Sequence, residues 1–146
     1  MAITSAICTS FKVELLKGVH NFTATTGDTF KIALYDSDAT LGASTTAFST
    51  SEEITNTSGT AYTSGGATLT SVTPVASSTT AVCDFADTSF TSASFTARGC
   101  MIFNDSASGD PTVCVIDFGS DKTVTSGTFT IQFPTADASN AIIRIA

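Results

Sequence analysis

Apolar and polar residues alternate along much of the chain with a period of two, the signature of half-buried strands rather than helices. The clearest early case is 29–35, where Phe30, Ile32 and Leu34 share one face and Lys31, Ala33 and Tyr35 the other. Asp36 and Asp38 end it with side chains that favour turns. Further strands are predicted over 67–73, 79–85, 90–103, 112–118, 123–133 and 140–146. In 112–118, Val113, Val115 and Asp117 alternate against Cys114, Ile116 and Phe118, so this strand reads as apolar on both faces and is expected to be central. Pro111 and Pro134 fall at strand ends, where a missing N–H does least harm.

One segment breaks the period. Phe11, Leu15 and Val19 recur at i, i+4 and i+8, with Ser10 as a candidate cap and Gly18 as a candidate stop, which predicts a helix of two turns at most. A strand is the rival, because Phe11, Val13 and Leu15 also alternate. Residues 42–66 are a long run of Ser, Thr, Ala and Gly with Phe48, Ile54 and Tyr62 as the few anchors. So long a loop in a compact domain is either a contact surface or a solvated excursion pinned by Tyr62. Gly65 and Gly66 then allow a sharp turn.

The expected fold is therefore all-β: a single β-sandwich or jelly-roll-like domain of seven to eight short antiparallel strands with a short N-terminal helix or arm. Residues 1–28 are the arm or helix and 29–146 the sandwich core. Composition supports this. Ser and Thr fill about a third of the 146 residues, while charged residues make up only 13%, about half the usual share.

Thirteen acids against six bases give a net charge of −7, and the six cations are scattered along the chain. Nucleic acid and anionic membranes both call for clustered Lys and Arg, so neither is an expected partner. No apolar run is long enough to span a bilayer. The start, Met1 to Cys8, has neither a basic region nor a continuous apolar stretch, so a secretory signal is not expected and synthesis and retention in a cytoplasm are.

Candidate chemistry is sparse. Cys8, Cys83, Cys100 and Cys114 contain no CxxC pair and read as small buried hydrophobes that stay reduced. A hairpin centred near Ala107 would set Cys100 opposite Cys114, and a disulfide between them is the alternative to four free thiols. His20 is the only histidine and has no recognisable nucleophile near it, and no G-x-S-x-G elbow occurs. Asp36 and Asp38 begin like a calcium loop, but Leu41 stands where that loop needs glycine. Asp84 with Asp87, and Asp105 with Asp110, read as turn formers. Sequons at Asn21, Asn56 and Asn104 carry little weight in a chain so rich in Ser and Thr. With no Trp, only the eleven Phe could offer a sugar-binding platform. No catalytic residue, metal or cofactor is expected.

The stretch Ala97-Arg-Gly-Cys-Met-Ile-Phe-Asn-Asp105, followed by Asp110-Pro-Thr-Val-Cys-Val-Ile-Asp-Phe-Gly119, resembles a hairpin of tailed-bacteriophage virion proteins, A-x-G-A-[VL]-[IL]-[FY]-N and then D-P-[ATV]-V-[AC]-[VI]-[IL]-D-F-G. Residues 11–22, 62–66, 127–134 and 138–146 are similar to that family too, while 42–61 and 74–83 are not. Cys100 and Cys114 depart from it, standing where small apolar residues are usual. The resemblance is to capsid decoration, or cement, proteins. It implies a homotrimer that braces the major capsid protein on the outer surface of a virion assembled in the host cytoplasm. On that reading an exposed arm bearing Ile3, Ile7 and Phe11 would grip a neighbour, and Ile142, Ile143 and Ile145 would close the sandwich or offer an edge for strand addition. Rival expectations are a tail or head-fibre component, a glycan-binding adhesin module and, last, an enzyme.

Overall fold

The computed structural model describes residues 1–55 and 61–146. In chain order the elements are β1 (Ala6–Ile7), α1 (Thr9–Leu16), β2 (Phe30–Tyr35), β3 (Ala67–Thr68), β4 (Ser71–Ser77), β5 (Thr80–Phe85), β6 (Thr88–Asn104), β7 (Thr112–Ile131) and β8 (Ile143–Ile145). Among the described residues these eight strands make two antiparallel sheets, one ordered β1-β7-β6-β2-β3 and one ordered β4-β5-β8. The domain is all-β and sandwich-like.

Two strands are far from short. β6 has 17 residues and β7 has 20. The two strands predicted at 112–118 and 123–133 are one, because Gly119 at φ +81 absorbs an irregularity without ending the strand. Conversely, the strand predicted at 67–73 is divided between β3 and β4, which belong to different sheets. β4 then runs on through Pro74, which an edge strand tolerates because its N–H need not pair. β7 is central only where β1 covers it, at Cys114 and Val115; beyond them its outer edge has no strand partner among the described residues.

The predicted helix forms, but its cap differs. Cys8, extended at φ −66 and ψ 140, is the N-cap and supplies no side-chain bond. The Thr9 N–H instead donates to the Ala43 carbonyl at 2.8 Å, so the 42–66 loop satisfies part of the helix start. Ser10 lies inside the helix, and its buried Oγ has no partner. The other end follows the expectation. Gly18 at φ +72 lets its own N–H reach Leu15 O and the Val19 N–H reach Glu14 O, at 3.1 and 3.0 Å, a Schellman closure.

Aromatic rings fill the space between the layers. Phe22 stacks on Phe30 at 4.3 Å between centroids, Phe85 of β5 packs on both, and Phe11 and Phe133 close the group. A second group joins Tyr62, Phe90, Phe95, Phe129 and Phe118 along the β6–β7 hairpin. Phe48 lies on Phe103. Every one of the eleven phenylalanines thus has a ring neighbour inside the chain. β2 is buried on both faces in its second half, since Ala33 and Tyr35 are as enclosed as Ile32 and Leu34.

Candidate interaction surface

The residues singled out for contact lie in three different environments. Ile3 and Phe11 are buried, at 7% and 1% exposure, and Ile143 is buried at 6%. The N-terminal segment is therefore no exposed arm. Ile3 bridges to Leu41 and packs against Gly99, where a β-carbon would come within 2.9 Å of its Cδ1. Ala6 and Ile7 pair with Val115 and Cys114 of β7, and the Ser5 Oγ accepts the Asp117 N–H at 2.8 Å. Apolar side chains at 3 and 11 serve the core because the segment is sewn to β7 rather than released from it. Ile143 closes the smaller sheet against Cys83. Ile7 and Ile142 are half-buried, and Ile145 alone of the six is exposed, at 55%.

Other large apolar side chains stand further out. On α1, Leu16 is 91% and Val13 49% exposed, with Val19 just past the helix end. On β4, Val75 is 61% and Val72 44% exposed. The sequence did carry a signal for the helix pair. Val13 and Leu16 are three apart, on a different side from Phe11 and Leu15, so one face had to remain outside.

The polar residues with chemical potential are occupied internally. His20 Nε2 is 2.8 Å from Glu14 Oε2, and its Nδ1 is 3.1 Å from Asn104 Nδ2. The amide orientation is fixed, because Asn104 Oδ1 accepts the Ser106 and Ala107 N–H groups and Nδ2 also donates to Asp28 Oδ2. Nδ1 is thereby an acceptor and the Nε2–H donates to Glu14. With its side chain fully enclosed and both ring nitrogens engaged, His20 braces α1 against the β6–β7 turn. Asn104 is itself completely buried, so its sequon is out of reach of a glycan.

A second buried network organises the long loop. β3 pairs with β2 only at Lys31 and Ile32, and beyond it the loop takes over the β2 edge. The Ile54 N–H donates to Leu34 O, and Tyr62 Oη accepts the Leu34 N–H at 2.8 Å. Tyr62 Oη in turn donates to Glu53 Oε1 at 2.7 Å, while the Gly65 N–H and the Ser64 hydroxyl also donate to that carboxylate. Burial, reinforced by Glu53, pushes the Tyr62 and Tyr35 phenols well above their ordinary range. Gly66 closes the turn at φ +76 where a side chain would run into the Ile32 carbonyl. Tyr62 does pin this excursion. The sequon at Asn56 lies outside the described residues.

The four cysteines are free and buried. The hairpin register sets Cys100 opposite Ile116 and Cys114 opposite Ile102, because an irregularity between Ile102 and Phe103 displaces the turn centre from Ala107. Cys100 and Cys114 are thus diagonal neighbours, not a facing pair. Burial pushes the Cys83 and Cys100 thiols up to about 12. Burial, with Glu14 nearby, pushes Cys8 up to about 11, and Cys114 is raised by burial and then by the other three thiols. Such thiols are poor nucleophiles. Asp36, Asp38 and Glu52 bring carboxylate oxygens within 4.8 Å of one another, but Asp36 Oδ1 already accepts the Asp38 N–H as the turn former expected. Asp117 is held below its usual range by the Gly119 N–H and by Arg98, which pairs with it at 2.9 Å.

One groove of about 770 Å³ opens beside the uncovered part of β7. Its walls include Ile7, Cys114, Ile116, Phe118, Ile131 and Ile142, and Lys122 stands at its rim. Ile7 and Ile142, both expected contact residues, meet here. No helix among the described residues is long and apolar enough to cross a membrane. No known protein family, curated protein or solved structure matches the chain.

Proposed function

We propose that the protein is a structural component of a phage virion, a capsid decoration subunit that binds the outside of the head and braces neighbouring major-capsid subunits, acting as a homotrimer. The observation that supports it best is the set of large apolar side chains left outside a well-filled core: Leu16 at 91%, Val75 at 61% and Ile145 at 55% exposure. A domain that packs all eleven phenylalanine rings against other rings of its own yet leaves these three side chains outside has surface suited to burial against another protein. The hairpin resemblance supplies the kind of partner.

Mechanically the work is binding. Each contact is modest, and repetition over a symmetric lattice sums them, so that a particle is held by many weak attachments at once. The long β6–β7 hairpin provides a stiff body, and the exposed edge of β8 at Ile145 is available for strand addition. Internal use of His20, Glu53 and the thiols fits a role without turnover.

The test is rebinding to heads stripped of the protein. Leu16→Lys, Val75→Lys and Ile145→Lys each place a charge on an exposed position and leave the core untouched. The expected result is wild-type circular dichroism with lower head occupancy for at least one variant. Wild-type occupancy for all three, singly and combined, overturns the role given to these side chains. Protein found only at one vertex or along the tail replaces decoration with the fibre or tail reading.

A further inference from the structure

We propose that the groove beside β7 is a binding site for a single-chain amphiphile with an anionic head, such as a medium-chain carboxylate. The proposal is independent of the virion role. A volume of about 770 Å³ is ample for an alkyl chain of ten to twelve carbons and falls in the range of small-molecule sites. The walls are built to stay apolar. Cys114, Ile116 and Phe118 come from one face of β7, and Ile7 and Ile142 approach from the two terminal segments. Cys114 is 4% exposed and its thiol is held neutral by burial, so the floor offers no charge.

The rim decides the head group. Lys122 is the cation lining the groove, and its Nζ makes a 2.9 Å bond to Ser120 Oγ. No carboxylate lies within ion-pair distance of it among the described residues, whereas Arg98 nearby is taken by Asp117 and Asp121. The net charge of −7 repels anions at long range, but the unpaired cation at the mouth of the apolar slot is the nearest charge to a bound head group and selects an anionic head over a cationic one. Gln132, also lining the groove and exposed, supplies a neutral hydrogen-bonding group.

Decanoate, decanol and decyltrimethylammonium, each below its micelle concentration, are titrated into the full chain by calorimetry, with amide NMR shifts locating the contact. Decanoate is expected to bind saturably, one molecule per chain, with a dissociation constant below about 1 mM. Shifts should centre on Ile7, Ile116 and Ile142. Lys122→Gln, at an exposed position, should weaken decanoate about threefold, the scale of an exposed ion pair, and leave decanol unchanged. Ile142→Trp, checked for its fold by circular dichroism, should fill the slot and abolish uptake. Three results overturn the proposal: no saturable uptake by the wild type, equal affinity for carboxylate and ammonium, or a concentration-dependent oligomer whose shifts map to the groove without decanoate uptake. The last would assign the groove to a second copy of the chain.

Discussion

Glu53 is where the structure makes its sharpest energetic statement. It is 8% exposed and accepts three hydrogen bonds, from Tyr62 Oη, Ser64 Oγ and the Gly65 N–H. Replacing it by Ala removes bonds that contribute about 1.5–3 kcal/mol each when one partner is charged, but they share one carboxylate and are not additive. The larger cost is that the buried Tyr62 hydroxyl and the half-buried Gly65 N–H lose their acceptor. Glu53→Ala should therefore destabilise by about 3–5 kcal/mol. Glu53→Gln keeps an oxygen for Tyr62 and Gly65, and the Ser64 hydroxyl can rotate to accept from the new amide, so about 1 kcal/mol is expected. Tyr62→Phe leaves the Leu34 N–H without its acceptor and should cost about 1–3 kcal/mol. Urea unfolding followed by circular dichroism gives the energies, and amide exchange at Leu34 gives the locus. Its protection should fall in Glu53→Ala and Tyr62→Phe but not in Glu53→Gln. A Glu53→Ala protein within about 0.5 kcal/mol of wild type, with Leu34 still protected, refutes the idea that this carboxylate ties the loop to β2.

Three further outcomes are expected. The folded thiols stay protonated up to about 11 for Cys8 and about 12 for Cys83 and Cys100, while unfolded ones ionise near pH 8.5–9, so the unfolded chain binds fewer protons above about pH 9. Stability should then fall with rising pH, by about 1.4 kcal/mol per thiol per pH unit; urea midpoints between about pH 7 and 10 that do not move contradict this. Asn104→Ala breaks four side-chain bonds in the buried bracket to His20, Asp28 and the hairpin turn, and should lower stability by about 2–4 kcal/mol, with lost amide protection at Ser106 and Ala107 as the local mark. Deleting residues 2–8 removes buried Ile3 and Cys8 and the β1 pairing, so it should lower the melting temperature by well over 10 °C rather than leave the free domain unaltered; an unchanged melting curve would show that the segment is detachable after all.

Much of the fold is legible in the sequence wherever one local rule decides. Period-two alternation locates β2, β5 and the strong parts of β6 and β7, and Gly18 ends α1 because a left-handed residue is required there. What is not legible depends on distant partners. Ser10 has the chemistry of a cap, but the Ala43 carbonyl takes the Thr9 N–H and sets the helix start two residues earlier. Gly119 looks like punctuation between two strands, yet β6 continues alongside and the ladder resumes past it. The Cys100–Cys114 facing pair fails by a register displacement that alternation cannot detect, since both cysteines keep the same face. The contact residues show the same limit. Periodicity can say that Ile3 and Phe11 are apolar, but not whether they face a neighbour or their own core. Leu16, fully outside, was visible only as the odd apolar side chain on a helix whose other side was already filled.

Where this protein is found, and in what number, separates head decoration from every rival role. Purified particles, imaged by electron cryomicroscopy with the protein's stoichiometry measured against the major capsid protein, give both at once. The prediction is density repeated over the outer head lattice at threefold or quasi-threefold positions, fitting the long β6–β7 body, with at least one of Leu16, Val75 and Ile145 in contact with a capsid or sister subunit. Heads without it, or a protein in solution that converts a substrate, would contradict the account.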